Sequence, residues 1–168
     1  VQPAAEPGQE FAYVDISAID NVTNRVVPGA IKRFRGAEAP SRARRPVQSG
    51  DVLLSNVRTY LRNTALLDVD TPADLCSTGF TVLRPSRAVL SHYLLRWVLA
   101  QGFVDAISET QTGTHYPATS DRVVLGQDIA LPPLAEQSRI VEKVEALLER
   151  VRAARERLER VPKLLKRF

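Results

Sequence analysis

Residues 134–168 carry apolar side chains at Ile140, Val144, Leu147, Val151, Ala154, Leu158, Val161, Leu165 and Phe168. The steps between them alternate four and three, which is the spacing of a heptad seam on one α-helix. Pro133 stands just ahead of the first turn, where a missing N–H costs little. Glu136 falls in the first turn and Lys163, Lys166 and Arg167 in the last, as the helix dipole favours. Pro162 is the local conflict and predicts a kink or break near Arg160. At ~1.5 Å per residue the element is roughly 50 Å long. A domain of ordinary size cannot cover such a seam, and each Leu or Val left in water forgoes roughly 1.5–3 kcal/mol of burial. The pattern therefore calls for a second long helix; the other reading is a surface helix lying on its own domain.

The preceding residues read differently. Residues 11–19 (FAYVDISAI) are rich in β-branched and aromatic residues and predict a strand, and residues 52–57, 64–69 and 76–83 read as further strands. Gly79 inside the last of these suggests a bulge or a close backbone approach. Residues 32–46 hold charge, Gly and Pro without a clean period and read as a long loop, the kind that is usually functional. From Ser91, a candidate N-cap, Leu94, Leu95, Trp97, Val98 and Leu99 predict an apolar helix. Gly102 is expected to break it and residues 103–108 to continue it. Residues 111–120 form a polar loop, 121–125 one helical turn capped by Ser120, and 129–131 a short strand. Residues 1–8 read as a flexible lead-in. No methionine is present, even at position 1, which suggests a fragment or a trimmed chain.

Composition narrows the function. With 168 residues, 44% of them hydrophobic and 25% charged, the chain can bury a core and is not a disordered segment. The lone cysteine, Cys76, cannot form a disulfide within the chain and reads as a small core residue. No apolar run approaches the ~20 residues that cross a bilayer, and no signal-peptide pattern opens the chain. A cytoplasmic protein with no membrane contact is expected. The net charge is +4, unevenly distributed. Residues 1–133 hold 13 basic and 13 acidic side chains, and residues 134–168 hold 10 and 6. Within the neutral part Arg25, Lys32, Arg33, Arg35, Arg42, Arg44, Arg45, Arg58 and Arg62 face only Glu38 and Asp51 over the same span. A local basic patch on a balanced domain fits a phosphate-binding surface, or a solvated arginine-rich loop.

Catalytic constellations are missing from the sequence. There is no G-x-x-x-x-G-K-[ST] loop and no G-x-G-x-x-G. His92 and His115 have no metal-ligand spacing, so no metal or other cofactor is expected. Asp15, Asp51 and Asp121 are scattered, and Asp51 and Asp121 read as cap and turn residues.

Four segments carry a family resemblance. Gly50-Asp51-Val52-Leu53 resembles the G-D-[IV]-L strand of type I restriction-modification specificity subunits. Ser77-Thr78-Gly79-Phe80-Thr81-Val82-Leu83 resembles the central strand that follows, and Gln111-Thr112-Gly113-Thr114 their Gly-[Ser/Thr] loop. Leu131-Pro132-Pro133-Leu134-Ala135-Glu136-Gln137-Ser138-Arg139-Ile140-Val141 is similar to the P-L-P-P-L-x-E-Q-x-x-I-V junction between recognition domain and helix. The four occur in family order over most of the chain.

The resemblance implies an α+β chain: a mixed, largely antiparallel twisted sheet with packed helices at residues 1–133, the DNA target-recognition domain, then a long coiled-coil spacer helix at 134–168. It implies a non-catalytic subunit that reads half of a split DNA target. Its partners would be double-stranded DNA, adenine-methylating subunits and a restriction subunit. It departs from the family pattern in having one recognition domain and one helix. Either the full chain is longer, or a half-subunit pairs with a second copy through Ile140, Val144, Leu147, Val151, Ala154, Leu158, Val161 and Leu165.

Arginine suits phosphates and guanine edges, so the implied DNA contacts are Lys32, Arg33, Arg35, Arg42, Arg44, Arg45, Arg58 and Arg62, with Tyr60, Gln111, Thr114, His115 and Tyr116 as secondary candidates. The Gly-Thr loop is open to a second reading, a structural turn that docks the domain on its helix. Two other functions remain: a general nucleic-acid-binding scaffold, which would need neither junction motif nor seam, and a specificity domain of another restriction-modification class.

Overall fold

The computed structural model describes residues 1–111 and 117–165, with side chains described to residue 160. Among the described residues nine short strands form two sheets. They are β1 (Glu10–Val14), β2 (Ile19–Asp20), β3 (Arg25–Val26), β4 (Lys32–Arg35), β5 (Ala43–Pro46), β6 (Val52–Ser55), β7 (Thr64–Leu66), β8 (Leu75–Ser77) and β9 (Phe80–Leu83). The first sheet has the order β4-β1-β8-β5 and the second β2-β3-β7-β6-β9. The β1–β8 and β3–β7 pairs are parallel and the other sheet pairings antiparallel. Helices α1 (Ser91–Val98), α2 (Gln101–Glu109), α3 (Asp121–Leu125) and α4 (Leu134–Leu165) follow. The α+β architecture, the mostly antiparallel strands and the long last helix agree with the sequence reading, although the expected single sheet is two.

Period-two alternation builds the layers. Leu53, Ala65 and Leu67 point between the sheets, where they meet Val14, Cys76 and Phe80. Val52, Leu54 and Leu66 point the other way and pack under Leu95, Val98, Ile107 and Val124 of the helices. Phe11, Tyr13, Phe34, Ala43 and Leu75 form a third cluster in the first sheet. There Phe34 lies 5.9 Å from both the Phe11 and Tyr13 ring centroids. Cys76 is fully buried among aliphatic neighbours, and burial pushes its thiol up to about 12. That is the core role expected of it.

Several local expectations need correction. Residues 32–46 are not a loop. They hold β4, a 3-10 turn at Gly36–Glu38, and β5. Both strands are sheet edges, and edge strands carry charge that blocks pairing with other chains; each sends few apolar residues inward, which masks the period. The segment 76–83 is two strands in different sheets, turning at Thr78 and Gly79. Gly79 makes a close approach, to side chains rather than to the backbone anticipated: a Cβ there would lie 2.6 Å from Arg42 Nη2 and 2.9 Å from Ile16 Cδ1.

The strand expected at 11–19 stops at Val14, and Asp15 caps a 3-10 turn over Ile16–Ala18. Residues 129–131 form no strand. The opening residues include a buried Pro3. Gly36 packs so closely on them that a Cβ would sit 2.3 Å from the Pro3 carbonyl oxygen. The break between α1 and α2 falls at Leu99–Ala100, and Gly102 lies within α2. Ser91 makes no cap bond; Leu90 is the capping position, and its N–H donates to Gln137 Oε1 at 2.9 Å. Ser120 does cap α3 by accepting from the Val123 N–H. Helix α4 continues through Pro162 to Leu165 rather than breaking near Arg160.

Candidate nucleic-acid interface

The chain crosses from the first sheet to the second at the Thr78–Gly79 turn, and the polar loops gather around that crossing. The Thr78 N–H donates to the Arg42 carbonyl at 2.9 Å and the Asn56 N–H to the Gly79 carbonyl at 2.8 Å. Thr119 N–H donates to the Asn56 carbonyl and Arg58 N–H to the Pro117 carbonyl, each at 2.8 Å. The backbone thus ties β5, the β6–β7 loop and the segment before α3 into one surface. Arg42 and Arg58 are exposed on it. Arg58 has φ of 50°, in the left-handed region that a bulky residue enters at a cost. Arg62, at the other end of the short turn Thr59–Leu61, has φ of 52°.

Asp121 lies at the centre of this surface. One carboxylate oxygen accepts from Arg45 Nη1 at 2.6 Å. The other accepts from Asn56 Nδ2 at 3.1 Å and lies 2.6 Å from Thr81 Oγ1. That hydroxyl is also 2.7 Å from Asn56 Oδ1, so two acceptors share its single proton. Burial pushes the carboxyl up, but the hydrogen bonds from Thr81, Arg45 and Asn56 outweigh it and hold Asp121 below the usual carboxylate range. The network joins an edge of the first sheet, the β6–β7 loop and strand β9 of the second, and the start of α3. It goes beyond the turn role read for Asp121 in the sequence. Asp51 keeps that role: fully buried, it accepts from the Gln48 N–H at 2.9 Å and from Arg84 through both oxygens at 2.8 Å.

The basic residues of the sequence patch do not all meet. Arg42, Arg45 and Arg58 surround the crossing. Arg44 is the extra residue of a β-bulge in β5, and its Nε donates to the Ser41 carbonyl. Lys32, Arg33 and Arg35 sit on β4, three strand spacings or ~14 Å across the sheet. Lys32 is 3.8 Å from Asp15 and Arg33 3.8 Å from Glu10, exposed pairs worth little. Tyr60 and Arg62 lie elsewhere again, lining a groove of 810 Å³ with Tyr93, Trp97, Ile140 and Val144. Arg62 also bonds Gln101 of α2.

The Gln111 amide donates to Thr59 Oγ1 at 2.6 Å, beside a 2.8 Å hydroxyl contact between Thr59 and Ser108. Thr114, His115 and Tyr116 lie outside the described residues. Asn56, Thr81 and Asp121 were missed as members of the surface. They are short polar residues in apolar or turn-like sequence, and only the meeting of two sheets unites them.

The helix presents a second face. Ile140 and Val144 are half-buried beside α1, so the first turns of the seam do have neighbours within the chain. Further on, Leu147 and Val151 are each 49% exposed and Leu158 is 69% exposed. Ala154 is exposed too. Leu165 and Val161 lie beyond the described side chains.

Among the described residues no group of three or more His, Cys, Asp or Glu side chains could hold a metal ion. No described helix is long and apolar enough to cross a membrane.

No family model matches the chain. Curated relatives do. It is 34% identical over 99 residues to the type I restriction enzyme EcoKI specificity subunit of Escherichia coli K12, covering 55% of this chain and 20% of that protein. It is 36% identical over 105 residues to the EcoDI specificity subunit of Escherichia coli, covering 62% and 22%. The HsdS subunit of Thermoanaerobacter tengcongensis matches 93% of this chain at 42% identity and a TM-score of 0.83, over 40% of its own length. A chain from a structure of a type I restriction-modification system matches 92% at 43% identity and 0.84, also over 40%. The chain spans about a fifth of the curated relatives it matches.

Proposed function

From the relatedness of this chain to type I specificity subunits, we propose that it reads one half of a bipartite duplex DNA target and docks the methyltransferase and restriction subunits of such a system. The relatedness itself extends over nearly the whole described fold, at 42% identity, and is the observation that carries the proposal. Three of the four sequence segments that suggested the family lie within this described fold, and residues 112–114 of the fourth lie outside it. Residues 1–133 act as the recognition domain and residues 134–168 as the spacer. The protein works in the cytoplasm and catalyses nothing itself; methyl transfer and cleavage belong to its partners.

The proposed DNA face is the crossing between the sheets. Arg42 and Arg58 supply positive charge there, and the described part of the surface is fixed by backbone bonds rather than free to flop. Fixed loops lose less entropy on binding. Phosphate contacts supply most of the affinity, and base-edge contacts from the same loops supply the sequence preference. The exposed apolar stretch of α4 pairs with a sister helix or a second copy.

Co-purification with an adenine methyltransferase subunit, followed by mapping of methylated adenines, tests the reading. A bipartite methylated motif is expected. Stable duplex binding with no methyltransferase partner and no split motif would favour a general nucleic-acid scaffold instead.

A further inference from the structure

We propose that Gln137, helped by the Arg96–Glu145 pair, is a positioning residue that fixes the angle between the domain and α4 and thereby sets the gap between half-sites. This rests on the reading above. Gln137 is fully buried, the one side chain of α4 in that state among those described. Its amide oxygen accepts from the Leu90 N–H at 2.9 Å. Its amide nitrogen donates to the Ala88 carbonyl at 2.8 Å and to the Pro132 carbonyl at 2.9 Å. One side chain therefore fastens the lead-in to α1, the Pro132-Pro133 junction and the first turn of α4 to one another. An apolar residue of similar size could fill the space, but three backbone groups would lose their partner. It would also supply no directional restraint, whereas hydrogen bonds weaken steeply off axis.

Two further contacts brace the joint. Tyr93 Oη donates to the Ala130 carbonyl at 2.8 Å. Two turns along α4, Arg96 Nε donates to Glu145 Oε1 at 2.7 Å, with the Arg96 side chain only 13% exposed. Gln137 and Glu145 are eight residues apart, so the clamp grips α4 at two points ~12 Å apart. Two separated grips resist tilting, which one grip does not.

The consequence follows from lever length. Helix α4 has 32 residues, ~48 Å at ~1.5 Å each. A tilt of about 4° moves its far end by ~3.4 Å, the rise of about one base pair. A slack joint would therefore admit several gap lengths, and a clamped joint one.

The test uses the full chain, alone and assembled with its methyltransferase subunits. Spin labels at Val69→Cys and Ala153→Cys report the joint, since both positions are exposed, Ala153 is not one of the seam residues and Cys76 is buried. Gln137→Ala should broaden the label-to-label distance distribution. In the assembled complex it should admit methylated targets with gaps about one base pair longer or shorter, the half-site sequences being unchanged. Arg96→Glu should do the same more weakly, and Arg96→Glu with Glu145→Arg should restore the narrow distribution and single gap. This pair carries the test if Gln137→Ala fails to fold.

An unchanged distance distribution in both variants overturns the clamp. A broadened distribution with an unchanged gap overturns its role in spacing. If the unmutated complex methylates no split target, the functional reading fails by itself, and the spin-label distances still decide whether the clamp exists.

Discussion

Leu53 and Leu147 are the same residue type in opposite situations. Leu53, between the sheets, has no exposed surface; Leu147, midway along α4, is 49% exposed. Fully burying a leucine is worth roughly 1.5–3 kcal/mol. The sheets and short helices have realised that gain within the chain, through three apolar clusters. Beyond its first turns α4 has not, and Val151 and Leu158 extend the unrealised stretch. The difference teaches where each part finds its stability. The body folds on its own contacts and leaves charge outside, while the distal helix holds apolar surface that another chain or segment can cover.

The sharpest way to break this contrast is to place charge on both sides of it. Leu147→Asp with Val151→Asp should abolish helix pairing and methyltransferase recruitment in sedimentation and pull-down measurements, because buried unpaired charge is expensive. The thermal midpoint of the body should stay where it is. Normal assembly by the double variant would mean that the exposed stretch is not an interface. Leu53→Ala should do the reverse. A core leucine truncation costs about 2–5 kcal/mol, so the denaturation midpoint should fall markedly, with pairing by the intact helix retained wherever the chain remains folded. A midpoint shift no larger than that of a surface change would dispute the layered core.

A smaller effect sharpens the contrast within the body. Arg42→Ala at the sheet crossing should flatten the salt dependence of duplex binding by about one unit of log–log slope. Arg33→Ala on the far edge strand should change it less. Equal effects would mean that the DNA face spans both edges of the first sheet. The smallest effect concerns acid. The Asp121 carboxyl lies below its ordinary value, with Arg45, Thr81 and Asn56 outweighing burial. Its stabilisation is present above the unfolded value of ~3.9 and is lost as pH falls through the folded value. Asp121→Asn should therefore be less stable at neutral pH and show a shallower decline on acidification. Parallel pH curves for the two proteins would remove Asp121 from the account.

The helix was legible because one face repeats with a fixed period, and part of the second sheet because its strands are apolar runs bounded by turn residues. Ile140, Val144 and Leu147 show their spacing without knowledge of any neighbour, and Val52, Leu53 and Leu54 read as strand from composition alone. The edge strands were not legible. Lys32-Arg33-Phe34-Arg35 has one inward apolar residue, and pairing with β1 decides its conformation. The split of 76–83 between two sheets falls at a turn where Gly79 lies against Arg42, from a distant part of the chain. The candidate interface was half legible. Charge drew attention to Arg42, Arg45 and Arg58, but Arg45 holds Asp121, and Tyr60 and Arg62 line the groove beside α4. Gln137 was visible within the junction motif, yet its three backbone partners come from segments that only the fold brings together.

In the proposed function the body reads sequence and the helix sets assembly and spacing. Exchanging residues 1–133 for the corresponding residues of a relative, and mapping methylated adenines in the assembled complexes, tests it most directly. Each half of the split motif read by this domain should change to that of the relative, one half where a sister domain reads the other and both where a second copy does, while the gap stays as it was. A motif that survives the exchange intact, or one whose gap changes while both halves persist, would contradict the account.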